Sequence, residues 1–332
     1  MLEKSVRVLV TSPIGENCLG QISKVSQRLE VLDVSNLLPI EQNRGHVPNG
    51  ELDTLLADTE VIFGFDVPQN LIKRAPKLKW IQTISAGVDH LMIDDVLGSQ
   101  VIITTIKGLS STSVAEFVFG LALIMVKQLS LCFQLKQTKQ WQKYRTATLQ
   151  SKTMGIVGHG YIGREVSRLA KAFGMRVLAT RRSIEQTTHI GNSDIILPKD
   201  RLCQLLTESD FVVVSVPLTP ETNRLIGGKE LRTMKSTAYL INIARGNVID
   251  EGALIKALEE GWIAGAGLDV FAEEPLPSNS RLWELPNVIF SPHVSGDTED
   301  EFEMATELFM RNLKHYLDGI SLLNLVDKNK MY

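Results

Sequence analysis

Three glycines, at 158, 160 and 163, constrain this chain more than any other feature. They form Gly-x-Gly-x-x-Gly directly after the apolar run Thr153 to Val157. They also open an amphipathic segment, Ile162 to Phe173, which a second apolar run, Arg176 to Thr180, follows. That order predicts strand, tight turn, helix and parallel strand. The first glycine permits the turn, the second lets the backbone approach a pyrophosphate, and the third lets helix and strand pack closely. Amides at the start of the helix can then bind the anion. Gly158, His159, Gly160, Tyr161, Ile162 and Gly163 are therefore candidate dinucleotide-binding residues. Without its strand and helix, the same hexapeptide would read only as a glycine-rich turn.

The end of the following strand bears on which dinucleotide fits. An acidic residue about 20 positions on commonly holds the ribose 2′-hydroxyl of NAD. Here the strand ends Ala179-Thr180-Arg181-Arg182-Ser183, with no carboxylate and with Arg181 lying 18 residues beyond Gly163. Two guanidiniums and two hydroxyls suit a 2′-phosphate, so NADP(H) is the expected coenzyme and NAD(H) a possible one. A solvated arginine pair on a loop is the plainer alternative.

The rest of the chain repeats the alternation. Strands are expected at Val6 to Val10, Val61 to Phe63, Trp80 to Ile84 and Val101 to Thr104, with helices at Glu16 to Leu29, Glu51 to Ala57 and Gln69 to Ala75 between them. A long helix should run from Thr112 to Leu131. Further strands follow at Phe211 to Val216, Ala238 to Ile243, Gly265 to Val270 and Val288 to Phe290. A last helix is expected from Thr298 to Asp318. At 332 residues the chain is about right for two α/β domains with parallel sheets.

Composition narrows the function classes. Thirty-five basic against 38 acidic side chains give a net charge of -3, and no charge block stands out, which argues against a dedicated nucleic-acid binder. The most apolar long segment, Val114 to Val126, is too short to span a bilayer. The N-terminus does not read as a signal peptide, so no membrane role and a cytoplasmic location are expected. Cys18, Cys132 and Cys203 form no CxxC pair and the six histidines are scattered without HExxH, so no metal site is expected.

Three ionisable residues fall at strand ends in the second half: Arg245 after YLINIA, Glu274 in DVFAEEP, and His293 in SPH after VIF. Singly each has a bland reading, as an ion pair, a solvated carboxylate or a structural histidine. Beside a dinucleotide loop they make a set suited to hydride transfer with a 2-keto acid. An arginine fixes a carboxylate and polarises a carbonyl, while a histidine oriented by a carboxylate delivers the proton.

Several ordered segments together resemble the D-isomer-specific 2-hydroxyacid dehydrogenase family. They are SAGVDHL at 85–91, VAE at 114–116, GIVGHGYIG at 155–163, VPLTPET at 216–222, INIARGNVIDEGAL at 241–254, GAGLDVFAEEPLP at 265–277 and LPNVIFSPHVSG at 285–296. The resemblance implies a catalytic set of Arg245, Glu274 and His293. It implies a flavodoxin-like substrate domain at 1–108 plus 297–332, a Rossmann coenzyme domain at 109–296, and an active site in the cleft between them. It places the substrate carboxylate on Ser85, Ala86, Gly87 and Val88, with Arg245 and His293 also touching substrate. The coenzyme would further meet Thr180, Arg181, Arg182, Ser183, Val216, Pro217, Thr222, Ile243, Ala244 and Asp269, the last near the nicotinamide carboxamide. Glu274 speaks against the formate dehydrogenase branch, where glutamine is usual. Ser215 departs from the family's histidine before the VP pair.

The resemblance also implies an oxidoreductase working as a homodimer that pairs through the long helix and the polar stretch after it. The expected reaction is NAD(P)H-dependent reduction of a small 2-keto acid, such as glyoxylate or hydroxypyruvate, to the D-2-hydroxy acid. Two alternatives stand beside it: a dinucleotide-sensing protein like the co-repressors that resemble this family, and a reductase for bulkier hydrophobic 2-keto acids. Leu109, Trp141 and Trp283 are candidate walls of a substrate pocket.

Overall fold

The computed structural model describes residues 5–39 and 50–332. The chain divides into two compact units, one comprising residues up to Leu109 together with Thr298–Tyr332, the other Ser110–Asp297.

In the first unit β1 (Val6–Val10), β2 (Leu29–Asp33), β3 (Thr59–Gly64), β4 (Trp80–Thr83) and β5 (Ile102–Thr104) form one parallel sheet in the order β2-β1-β3-β4-β5. This is the doubly wound order of flavodoxin-like folds, in which the chain reverses direction across the sheet between β1 and β3. β3 is buried along its whole length, as a central parallel strand covered on both faces must be. The helix Glu301–Leu317 closes one face. Its Phe309 stacks on Phe63 with ring centroids 4.2 Å apart, and Ala305, Leu308 and Leu313 complete the apolar layer.

In the second unit β6 (Thr153–Val157), β7 (Arg176–Thr180), β8 (Ile195–Leu197), β9 (Phe211–Val214), β10 (Tyr239–Asn242), β11 (Gly265–Leu268) and β12 (Val288–Phe290) form a parallel sheet ordered β12-β11-β10-β9-β6-β7-β8. The chain runs outward from β6 to β8, then returns to β9 on the other side of β6. That reversal opens the crevice at which such sheets bind ligands. One apolar layer covers each face. The helix Ser111–Val126 belongs to one of them, burying Val114, Val118, Leu121 and Met125.

Some elements differ from expectation. The expected helix Glu16 to Leu29 is Gly15–Ser23, and its last part is replaced by the approach to β2. β2 and the three-residue β8 were not expected. β2 is half exposed at a sheet edge, and its apolar residues continue the helical spacing before it. The long helix breaks at Gln128, which takes a left-handed conformation (φ 53°), giving Ser111–Val126 and Leu129–Gln137. Among the described residues no single helix is long and apolar enough to cross a membrane. Those two reach that length only when taken together across a 64° bend.

Candidate active site

Parallel strands end on the same edge of their sheet, which is why residues far apart in sequence gather here. Along the carboxyl edge of the second sheet stand His293 after β12, Asp269 and Glu274 after β11, and Arg245 after β10. Val216 follows β9, the glycine loop β6, and Arg181 β7.

His293 and Glu274 form a pair: His293 Nδ1 lies 2.8 Å from Glu274 Oε2. An ionised carboxylate only accepts hydrogen bonds, so Nδ1 carries the proton and Nε2 is the ring nitrogen left to exchange one. The second carboxylate oxygen, Glu274 Oε1, accepts from the Phe271 amide at 2.9 Å, which fixes the carboxylate. His293 sits at φ 57°, a backbone conformation costly for a residue with a side chain.

Asp269 holds that conformation. It is fully buried, and its Oδ1 accepts from Ser291 Oγ (2.6 Å) and the Val294 amide (2.9 Å), while Oδ2 accepts from the Ser295 amide (3.0 Å). One carboxylate thus grips the loop on both sides of His293.

Arg245 is half-buried with extended backbone (φ -146°, ψ 146°), and its Nη1 donates to Ala244 O at 2.8 Å. The buried Asn242 sets its main chain, accepting from the Ala244 amide (3.1 Å) and donating to Arg245 O (3.0 Å). Next comes Gly246, where any Cβ would collide with the Phe271 main chain. The arginine loop and the Glu274 loop therefore pack backbone to backbone.

The glycine loop fits a dinucleotide, and each glycine has its own reason. Gly158 turns at φ 103°, where a Cβ would meet Ser215 O and Val216 Cγ1 at 2.8 Å. A Cβ on Gly163 would collide with the Gly158 carbonyl. At Gly160 a Cβ would meet no atom of the described residues within 4 Å, which leaves space beside the N-terminus of the helix Tyr161–Ala172. Ser215 Oγ donates to Gly158 O at 2.7 Å, so the departure from the family's histidine serves to brace the turn.

His159 is buried, and its ring is pushed down from 6.5 to about 4, first by burial and then by the charges of Arg164 and Arg181. Its amide donates to Thr180 O at 2.9 Å, joining the glycine loop to the end of β7. Arg181 is half-buried and its amide donates to Leu197 O, whereas Arg182 and Ser183 are exposed, with Arg182 Nη1 3.9 Å from Glu221 Oε2. Tyr161 is exposed and Ile162 half-buried. Ile243 and Ala244 are buried, and Thr222 Oγ1 closes the 216–222 loop by donating to Pro217 O at 2.6 Å.

Ser85, Ala86, Gly87 and Val88 follow β4 in the first unit, where Thr83 Oγ1 accepts from the Ser85 amide at 3.2 Å. Leu109 packs into the first unit's core. Trp141 is 97% exposed, and Trp283 packs edge-on against Phe290. Sequence reasoning did not single out Asn242, Ser291 or Ser193. Asn242 and Ser291 each lie within three residues of a catalytic candidate, and that adjacency was the available signal.

The model of the D-isomer specific 2-hydroxyacid dehydrogenase NAD-binding domain matches residues 119–295. A glyoxylate reductase of Thermococcus litoralis is 38% identical over 274 residues, covering 79% of this chain and 81% of that protein. A D-isomer specific 2-hydroxyacid dehydrogenase family protein of Aeromonas salmonicida superposes with TM-score 0.86 at 29% identity, over 98% of this chain and 100% of that one. A D-isomer specific 2-hydroxyacid dehydrogenase of Xanthobacter autotrophicus, solved with NADPH and MES, gives 0.84 at 27% identity, over 99% and 100%. With its glycine cradle and its histidine, glutamate and arginine on one sheet edge, this chain belongs to the D-isomer specific 2-hydroxyacid dehydrogenase family and is an NAD(P)-dependent oxidoreductase.

Proposed function

We propose that the protein reduces a small 2-keto acid, of the size of glyoxylate or hydroxypyruvate, to the D-2-hydroxy acid, with NADPH as the preferred coenzyme. The observation that carries this reading is the His293–Glu274 pair, standing on the same sheet edge as Arg245 and the glycine loop.

The nicotinamide, when bound, supplies the hydride. Arg245 forks onto the substrate carboxylate and carbonyl oxygen, stabilising the charge that builds on that oxygen. His293 delivers the proton from Nε2, and Glu274 stabilises the protonated ring and fixes its orientation. The amides of Ser85, Ala86, Gly87 and Val88 hold the carboxylate, which makes residues 1–108 with 297–332 the substrate domain and 109–296 the coenzyme domain.

The absence of a carboxylate at Thr180-Arg181-Arg182-Ser183 supports a 2′-phosphate. So does the NADPH bound to the Xanthobacter relative. The name of the Thermococcus relative supports a substrate as small as glyoxylate. Trp141 and Phe133, 97% and 62% exposed, support a homodimer that covers them. A cytoplasmic location goes with the reading.

Initial rates with NADPH and NADH against glyoxylate, hydroxypyruvate, pyruvate, 2-ketoisocaproate, ketopantoate and phenylpyruvate test it. The expected result is turnover of the smallest acids with NADPH, and a NADPH preference that falls in Arg181→Ala. No turnover with any pair, despite coenzyme binding, would sink the reductase reading.

A further inference from the structure

The mechanism above gives His159 no task, yet its surroundings are specific. Its Nε2 lies 2.8 Å from Ser193 Oγ, Ser193 Oγ lies 3.2 Å from Ser167 Oγ, and Ser167 Oγ is 2.7 Å from Gly163 O. All three contacts are hydrogen bonds only if the protons run one way. Ser167 donates to the carbonyl, so it accepts from Ser193, and Ser193 in turn accepts from His159 Nε2–H. Nδ1 is then a bare lone pair, and it is buried without a partner among the described residues. A leucine of similar size would carry no such unsatisfied acceptor, so packing alone does not explain a histidine here.

What the ring joins is informative. Ser193 lies in the segment between β7 and β8 that begins with Arg181 and Arg182, and Arg181 also acts electrostatically on His159. The His159 amide holds the start of that segment through Thr180 O, and its ring holds the far end through Ser193. Burial beside Arg164 and Arg181 keeps the ring neutral at pH 7, so it acts on that segment through its hydrogen bond and not through charge.

We propose that His159 is a positioning residue for coenzyme choice: through Ser193 it fixes the arginine-bearing segment in the arrangement that takes an adenosine 2′-phosphate. This rests on the NADP(H) reading above, and the test separates the two. Titration calorimetry with 2′,5′-ADP and 5′-AMP measures the preference for the 2′-phosphate without turnover. In the unaltered protein 2′,5′-ADP binds more tightly. His159→Leu and Ser193→Ala lower that preference about ten-fold, the worth of one well-placed hydrogen bond. Affinity for 5′-AMP stays within about two-fold in Ser193→Ala, as binding that never used the 2′-phosphate site should. His159→Gln, which keeps an N–H for Ser193, retains most of the preference. If the unaltered protein favours 2′,5′-ADP and both His159→Leu and Ser193→Ala keep the same ratio, the positioning role is wrong and the coenzyme reading stands. Equal binding of the two nucleotides by the unaltered protein overturns the coenzyme reading itself. Should His159→Leu not fold, Ser193→Ala decides alone.

Discussion

Two histidines stand on the carboxyl edge of one sheet and live in opposite conditions. His293 is exposed, sits at a left-handed backbone position and pairs with a carboxylate. His159 is buried, pairs with a hydroxyl and lies in the field of two arginines. In the proposed mechanism the first carries and releases a proton. The second is arranged never to take one at neutral pH. Residue type is thus a poor guide to duty on this edge; the partner and the access to water decide it.

The largest expected effect tests the exposed member. His293→Ala should lower kcat about a thousand-fold while leaving coenzyme affinity nearly unchanged, since general acid catalysis is lost and the glycine loop is not touched. Single-turnover rates and coenzyme titration check it, and a kcat within ten-fold of the unaltered enzyme would remove His293 from the chemistry.

A second measurement addresses the buried member. The pKa of His159 is lower in the fold, about 4, than its ordinary 6.5, so between these values the unfolded chain binds the proton first. Stability therefore falls as pH drops from 6.5 to about 4, by roughly 2–3 kcal/mol, and is unaffected above that window. His159→Leu lacks this loss, so its denaturation midpoint should gain on that of the unaltered protein as the solution is acidified. Parallel curves over the whole range would contradict the neutral, buried ring.

Asp269→Asn comes next. An amide cannot accept at both ends, so one of the three donors around His293 loses its partner, at a cost of about 2 kcal/mol. Urea unfolding should show that loss together with a fall in kcat, because the loop no longer holds φ 57° at His293. A stability loss with kcat intact would make Asp269 merely structural. Glu274→Gln is the mildest, about ten-fold in kcat, since the amide oxygen can still accept from Nδ1–H, although the Phe271 amide loses its acceptor and the imidazolium its counter-charge. Steady-state kinetics check it, and an unchanged kcat would mean that the carboxylate charge has no part in the step.

Much of this edge was legible in the sequence because its chemistry sits in short segments at strand ends. The glycine loop declares itself by spacing, whereas Arg245, Glu274 and His293 stand out only as a set and through the family's motifs around them. What was not legible acts across space. Ser193 is 34 residues from His159, and Asp269 reaches Ser295 across 26. No local pattern links such pairs. β8 has only three residues, too few to show a period, and Gln128 breaks its helix without the glycine or proline that usually marks a break.

The helix Glu301–Leu317 has a consequence for how the chain is made. The first unit cannot complete its apolar layer until Phe309 arrives to stack on Phe63. On a ribosome adding about 5–20 residues per second, the face around Phe63 waits some ten seconds or more while all of Ser110–Asp297 is synthesised. The first unit is thus finished after the second, and during that interval the apolar layer around Phe63 lacks Ala305, Leu308, Phe309 and Leu313.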